Sequence, residues 1–354
     1  PMPGTGLEAL KPGGRIYELD NALIKRLRKD GYGEPAIWWS QTHHFFEKCT
    51  DDEVPPECAG RAISIYSCWT GITTKGWLGG PQIDKIPQPS AVWPVRPPLT
   101  FAEGNAPELV IARPESWMAD RTRHDNLIAL MLASKTPLAI TSLGTVPSEI
   151  PGAAESAQTG WQMKQRGLTR SLAFWLNQGA PYVLLHSAYE SRNDEMSHAL
   201  IPFIADPLKF RWQDAPPLVT LRSFCDALKN AKPLRELDPL KFKFAVEPNP
   251  VLIPPSANGG SLTAADAVAL LPYQLDERTF AVAAYVVSTN IADRLQPLRM
   301  TLQIDRRIGD AGVAWSQPSC NATGTAAVVE RNADFTTIDF DVHDDVTWLT
   351  FAVE

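Results

Sequence analysis

Four glutamates stand in stretches that join the predicted strands and helices, where carboxyl groups can reach a substrate: Glu103, Glu149, Glu155 and Glu190. Two carboxyl groups held close together can divide the roles of nucleophile and proton donor between them. Glu190 is the strongest candidate, because it follows an apolar strand and has His186 and Tyr189 nearby. The competing interpretation is that Glu149 and Glu155 flank the start of a long helix and favour its positive end.

The sequence predicts no metal and no cofactor. His43, His44 and Cys49 lack the second ligand pair that structural zinc sites have. The acidic run near the C-terminus lacks the glycine and glutamate pattern of a calcium loop, so it is predicted to be a solvated sheet edge: Asp339, Asp341, Asp344 and Asp345. Short glycine clusters lack the strand and helix context of a phosphate loop.

Tryptophan is abundant, with 11 in 354 residues. Trp38 and Trp39 close one predicted strand and Trp69 closes another, so their rings could stack on a flat ligand such as a sugar. With His186 and Tyr189 they form the predicted ligand-binding set. Taken singly, each tryptophan is also typical of an ordinary core.

Bulk properties exclude several classes. The net charge of −7 argues against nucleic acid as a partner, because phosphate neutralisation needs a basic surface. A run of about 20 apolar residues is absent, so no membrane-spanning segment is expected. The chain opens at Pro1 without a signal-peptide pattern, so a secreted form would be a processed or partial chain.

The predicted strands and helices follow two different patterns in the two parts of the chain. Apolar strand 138–143, the helical stretch 154–177 and apolar strand 181–189 alternate as a parallel sheet covered by helices does. From Lys241 onward, short alternating segments with turns between them predict an antiparallel sandwich. We therefore expect an α/β domain over residues 1–235 and an all-β domain over 236–354.

This order of motifs resembles retaining glycoside hydrolases with a β/α barrel and a C-terminal sandwich, of the β-xylosidase/α-iduronidase-like or heparanase-like kind. The segments that carry this resemblance are ITSLG at 140–144, the helix after it and VLLHSAYES at 183–191. In those families the first segment reads ITE[FIL]G and its glutamate is the nucleophile. Here Ser142 takes that position, and the acid/base motif Asn-Glu is absent from the whole chain. The stretch EGNAPEL puts Ala106 where that acid would stand.

The resemblance implies a TIM-like (β/α) barrel, shortened or incomplete, followed by an antiparallel β-sandwich. It implies an extracellular or periplasmic protein that is catalytically degenerate, because a serine without a base cannot form and release a glycosyl ester. Such a protein would bind carbohydrate or act in a protein assembly. The alternative is an active retaining glycosidase, with Glu190 among the catalytic residues. A third alternative is a protein scaffold, marked by a large apolar patch without a cleft.

Overall fold

The computed structural model describes residues 22–23, 25–31, 38–40, 60–66, 138–149, 153–177, 179–185, 187–189, 194–204, 209–234, 242–246, 268–286 and 296–354. These residues build three sheets and the helices that pack between them. Near the N-terminus, residues 25–29 are helical, and the turn after them contains Gly31 at φ +81°. Glycine at a helix end adopts this left-handed conformation without a steric penalty.

The first sheet is parallel and has four strands in the order β1-β2-β3-β4. Its members are β1 (Trp38–Ser40), β2 (Gly60–Tyr66), β3 (Leu138–Gly144) and β4 (Val183–Leu185). Helix α1 (Gly160–Asn177) connects β3 to β4 and confirms the predicted strand–helix–strand unit. The described residues contain this parallel sheet but no closed barrel.

Helix α1 begins six residues later than predicted, and a reciprocal capping box explains where it begins. Gln162 donates its backbone N–H to Thr159 Oγ1 over 3.2 Å, while the Gln162 side chain accepts from the Thr159 N–H over 2.9 Å. Each bond satisfies a donor that the helix start would leave free. Helix α2 (Pro216–Ala227) opens with proline, which lacks the N–H that a first turn cannot use. Short 3₁₀ turns lie at Pro147–Glu149 and Trp212–Asp214.

The C-terminal part is a sandwich of two antiparallel sheets, as predicted. The larger sheet has the order β11-β10-β14-β8-β7-β5 and the smaller has the order β12-β13-β9-β6. Their strands are β5 (Lys232–Pro233), β6 (Phe242–Val246), β7 (Val268–Gln274), β8 (Thr279–Val286), β9 (Leu298–Ile304), β10 (Ala314–Gln317), β11 (Ala322–Thr325), β12 (Ala327–Arg331), β13 (Thr336–Val342) and β14 (Thr347–Ala352).

The sandwich core lies between the two sheets. Alternate residues of β9 and β13 face it, including Met300, Leu302 and Phe340, and alternate residues of β8 face them from the other sheet. Because successive strand residues point to opposite faces, the remaining residues of β8 face away from this core.

The larger sheet is nevertheless buried on its second face as well, where α1 and α2 cover it. Tyr273 of β7 donates its hydroxyl to the Ala173 carbonyl of α1, and Trp348 of β14 packs against Phe224 of α2 with ring centroids 5.3 Å apart. In the same face Ala281 pairs with Tyr273 and Ala283 with Trp348. These small residues let the helices approach, which accounts for a strand that is buried along nearly its whole length.

Charged side chains complete the contact between α1 and the sandwich. Arg166 of α1 forms an ion pair with Asp344, Nη1 to Oδ2 2.8 Å, and the two side chains are 2% and 0% exposed. Asp345 is also buried. The prediction of a solvated acidic edge is therefore wrong for these two aspartates, because the loop after β13 docks against a helix. Asp339 and Asp341 lie on the outer face of β13 and are 27% and 57% exposed, but β13 pairs with β12 and β9 and so is not an edge strand.

Strand β5 joins the larger sheet through Lys232 and Pro233, just before the predicted domain boundary at 235/236. The boundary residues themselves lie outside the described part, so the division stays a prediction. Among the helices of the described part, none combines the length and apolar content needed to cross a lipid bilayer.

Candidate functional site

The carboxyl ends of the parallel strands meet at one edge of the first sheet, and ligand sites of such sheets form at this edge. β3 ends there at Gly144 and β4 ends there at Leu185. The loops that follow are tied together, since Ser148 donates its backbone N–H to the Met196 carbonyl over 3.1 Å. This backbone hydrogen bond therefore links the two loops that follow β3 and β4 at the edge of the sheet.

A buried lysine supports these loops from below. Lys164 of α1 is fully buried, and its ammonium group donates to the backbone carbonyls of Asp194 and Ala199 at 3.1 and 2.5 Å. The same group lies 4.3 Å from the centre of the Trp161 ring. A buried ammonium is costly unless such acceptors surround it, so the segment 194–199 is held firmly over the start of α1.

Ser142 lies at an irregular point of β3. Between Ile140 and Ser142 this strand advances two residues while β2 advances one, from Ile63 to Ser64. The pairing with β4 shifts over the same stretch. β3 therefore bulges at the position matched to the family nucleophile, and bulges are frequent beside active sites.

Carboxylates are missing from this sheet. None of the residues in the four described parallel strands is an aspartate or a glutamate. Glu149 ends the 3₁₀ turn after β3, while Glu155 is exposed in the turn before α1. The first turn of α1 holds no acidic residue, because the capping box takes that role. Glu103 and Glu190 lie outside the described residues.

Two exposed aromatic rings border the end of β4. Leu200 and Ile201 donate their backbone N–H groups to Ser187 and Ala188, over 2.9 and 3.1 Å, which brings the later segment alongside the residues after β4. Tyr189, predicted as a ligand-binding residue, follows at once and is 54% exposed. Phe203, in the segment beside it, is 72% exposed and was not predicted. Neither ring serves the core, so both are accessible to a ligand.

The other predicted ligand-binding residues are described only in part. Trp38 and Trp39 form β1 and so belong to the parallel sheet, although the described part does not extend to their side chains. Trp69 and His186 lie outside the described residues, as do His43, His44 and Cys49. Within the part that is described, no group of three or more His, Cys, Asp or Glu residues could hold a metal ion.

No protein-family model matches the sequence, and no curated protein matches it. Among solved structures, the chain is similar to a GH51 arabinofuranosidase from Xanthomonas axonopodis pv. citri, with a TM-score of 0.35 and 11% sequence identity over 84% of this chain. The chain spans about half of that structure, 54% of its length.

Proposed function

We propose that this chain is a glycosidase-like protein that binds carbohydrate at the carboxyl edge of its parallel sheet without cleaving it. The observation that carries the proposal is the absence of any Asp or Glu from the four described parallel strands. Retaining hydrolysis needs two carboxyl groups about 5 Å apart at strand ends of this kind. Ser142, at the bulge of β3, offers a hydroxyl where that chemistry needs a carboxylate.

Binding is proposed to use the aromatic rings at the end of β4. Tyr189 and Phe203 are both exposed, and each follows closely on one of the paired segments 187–188 and 200–201. The flat apolar faces of aromatic rings suit the C–H faces of sugar rings. A carbohydrate-binding role agrees with an extracellular or periplasmic location, which we include in the proposal together with a role in a protein assembly.

The active glycosidase is the second candidate, because Glu190 follows directly on Tyr189 in the sequence. The two candidate functions predict different results for the hydrolysis of synthetic glycosides. With a panel of 4-nitrophenyl glycosides, we expect no release of nitrophenol above the buffer rate. Hydrolysis that disappears in Glu190→Gln would overturn the proposal and establish the enzyme.

Binding is tested by titrating soluble neutral oligosaccharides into the protein in a calorimeter. Tyr189→Ala should raise the dissociation constant about tenfold, which corresponds to about 1.4 kcal/mol. Tyr182→Ala is the matched control, because Tyr182 is 53% exposed and lies at the opposite end of β4. Equal weakening by both substitutions, or no binding by the wild type, would contradict the proposed site.

A further inference from the structure

A second cleft lies in the sandwich, far along the chain from the parallel sheet. It has a volume of about 240 Å³ and is lined by Arg299, Trp315, Gln317, Asp339, Asp341 and His343 among others. β12 begins at Ala327 opposite Asp339, while β13 continues to Val342, so the cleft opens beside the last residues of β13. The hairpin of β10 and β11 forms its other wall.

One wall of the cleft is aromatic, and its position depends on the close packing of a tryptophan on a glycine. Trp315 of β10 stands opposite Gly324 of β11 in the antiparallel register. A Cβ atom at position 324 would come within 2.6 Å of the indole ring, so only glycine lets the ring lie against this strand. Trp315 remains half-buried and contributes to the cleft.

The polar wall presents both donors and acceptors. Arg299 of β9 reaches Asp341 and Asp339 of β13 at 3.4 and 3.5 Å, and Thr301 donates to Asp339 at 2.6 Å. The guanidinium group has five N–H donors, and these two long contacts do not use all of them. The carboxylate of Asp341 is 57% exposed and can accept further hydrogen bonds.

The charge and the volume of the cleft limit the kinds of ligand that it can bind. One guanidinium and two carboxylates leave the wall slightly negative, which disfavours an anionic ligand, while the arginine between the carboxylates disfavours a cation. The volume is below the roughly 300–1,000 Å³ of pockets for drug-sized molecules. A neutral ring with one apolar face and several hydroxyl groups fits both walls.

We infer that this cleft binds one neutral sugar ring, stacked on Trp315 and hydrogen-bonded by Arg299, Asp339 and Asp341. It is a site separate from the proposed one at the parallel sheet. A sugar hydroxyl can accept from the guanidinium and donate to a carboxylate at once, which gives orientation as well as affinity.

The test follows the indole N–H signals of the ¹⁵N-labelled full chain by NMR during titration with the methyl glycosides of xylose, arabinose and glucose. Trp315→Phe assigns the Trp315 signal. At least one glycoside should shift this signal with saturation in the millimolar range. Arg299→Gln and Asp341→Asn, both at exposed positions, should weaken the binding about tenfold or more.

Asp310→Asn is the matched control, because Asp310 is an exposed sandwich aspartate paired with Arg331 and lies outside the cleft lining. It should leave the Trp315 titration unchanged, and so should Tyr189→Ala. A Trp315 signal that no neutral glycoside shifts would overturn the inference, as would a shift caused only by glucuronate or glucosamine. If Tyr189→Ala abolishes sugar binding and the cleft variants do not, the inferred site in the sandwich fails while the proposed function stands. If it is lost in the cleft variants alone, the inference stands while the proposed site at the parallel sheet fails.

Discussion

The buried ion pair between Arg166 and Asp344 should be one of the most sensitive points of the molecule, because it joins α1 to the sandwich without access to water. Asp344→Asn keeps the shape of the side chain and removes its charge. The guanidinium of Arg166 would then stay buried without the charge of Asp344, since only 2% of the arginine side chain is exposed. Breaking one partner of a buried pair costs about 3–5 kcal/mol.

A double substitution separates the ion pair from simple packing. Arg166→Met with Asp344→Leu removes both charges and leaves apolar groups of similar size. If the two losses were independent they would add to about 6–10 kcal/mol, but replacement of a whole buried pair by apolar residues is often nearly neutral. We therefore expect the double variant to be more stable than either single variant.

An exposed pair of the same length supplies the control. Arg331 and Asp310 also lie 2.8 Å apart, yet the Asp310 side chain is 94% exposed. Asp310→Asn should cost less than about 1 kcal/mol, because water and salt screen exposed pairs. Since the two ion pairs have the same N–O distance, a difference in stability loss between the two aspartate substitutions reports the effect of burial.

The assay is urea unfolding followed by tryptophan fluorescence and by far-ultraviolet circular dichroism. Coincident transitions justify a single free energy of unfolding for the described layers. An Asp344→Asn cost below about 1 kcal/mol, equal to that of Asp310→Asn, would refute the reasoning. So would a double variant whose cost equals the sum of the two single costs.

Three further predictions concern other parts of the chain. Tyr273→Phe removes the hydroxyl bond to the Ala173 carbonyl and should cost about 1 kcal/mol in the same urea assay; an unchanged midpoint would contradict this. The N–H groups of Arg278 and Thr279 lower the pKa of the Asp276 carboxyl, so its contribution to stability is present above the unfolded pKa and is lost as pH falls through the folded pKa. Asp276→Asn should therefore lower the melting temperature at pH 7 but not at strongly acidic pH, and a difference that persists in acid would contradict this. Ser142→Glu should release no sugar from unactivated oligosaccharides, because their leaving oxygen must be protonated by a second carboxyl group; measurable hydrolysis would show that a partner acid is present.

The local pattern of the chain accounts for most of the elements that were predicted. The apolar strands and the helix of the β3–α1–β4 unit follow from periodicity. The T-x-x-Q motif at Thr159 and Gln162, which was not used, would have corrected the predicted start of the helix. β7 would not be recognised from its own pattern, because it is buried on both faces and contains Pro272 and so lacks the alternation of a half-exposed strand.

Contacts between distant parts of the sequence could not be predicted in this way. Asp344 belongs to the same acidic run as the exposed Asp341, and its burial against Arg166, 178 positions earlier, is not visible in the sequence. The sandwich cleft likewise combines Trp315 with Arg299 and Asp341 from other strands. Tyr189 was predicted from its place at the end of an apolar strand, whereas Phe203 could not be, because the pairing of residues 200–201 with 187–188 is not visible in the sequence.

Carbohydrate binding without cleavage is tested most directly by one NMR time course of the wild-type chain with excess neutral oligosaccharides, recorded with saturation transfer from the protein. We predict transfer to sugar protons and no new reducing-end anomeric signals, because the proposed function is binding without cleavage and the four described parallel strands contain no Asp or Glu. New anomeric signals that grow with time would contradict the loss of catalysis. The absence of any transfer would contradict carbohydrate binding itself.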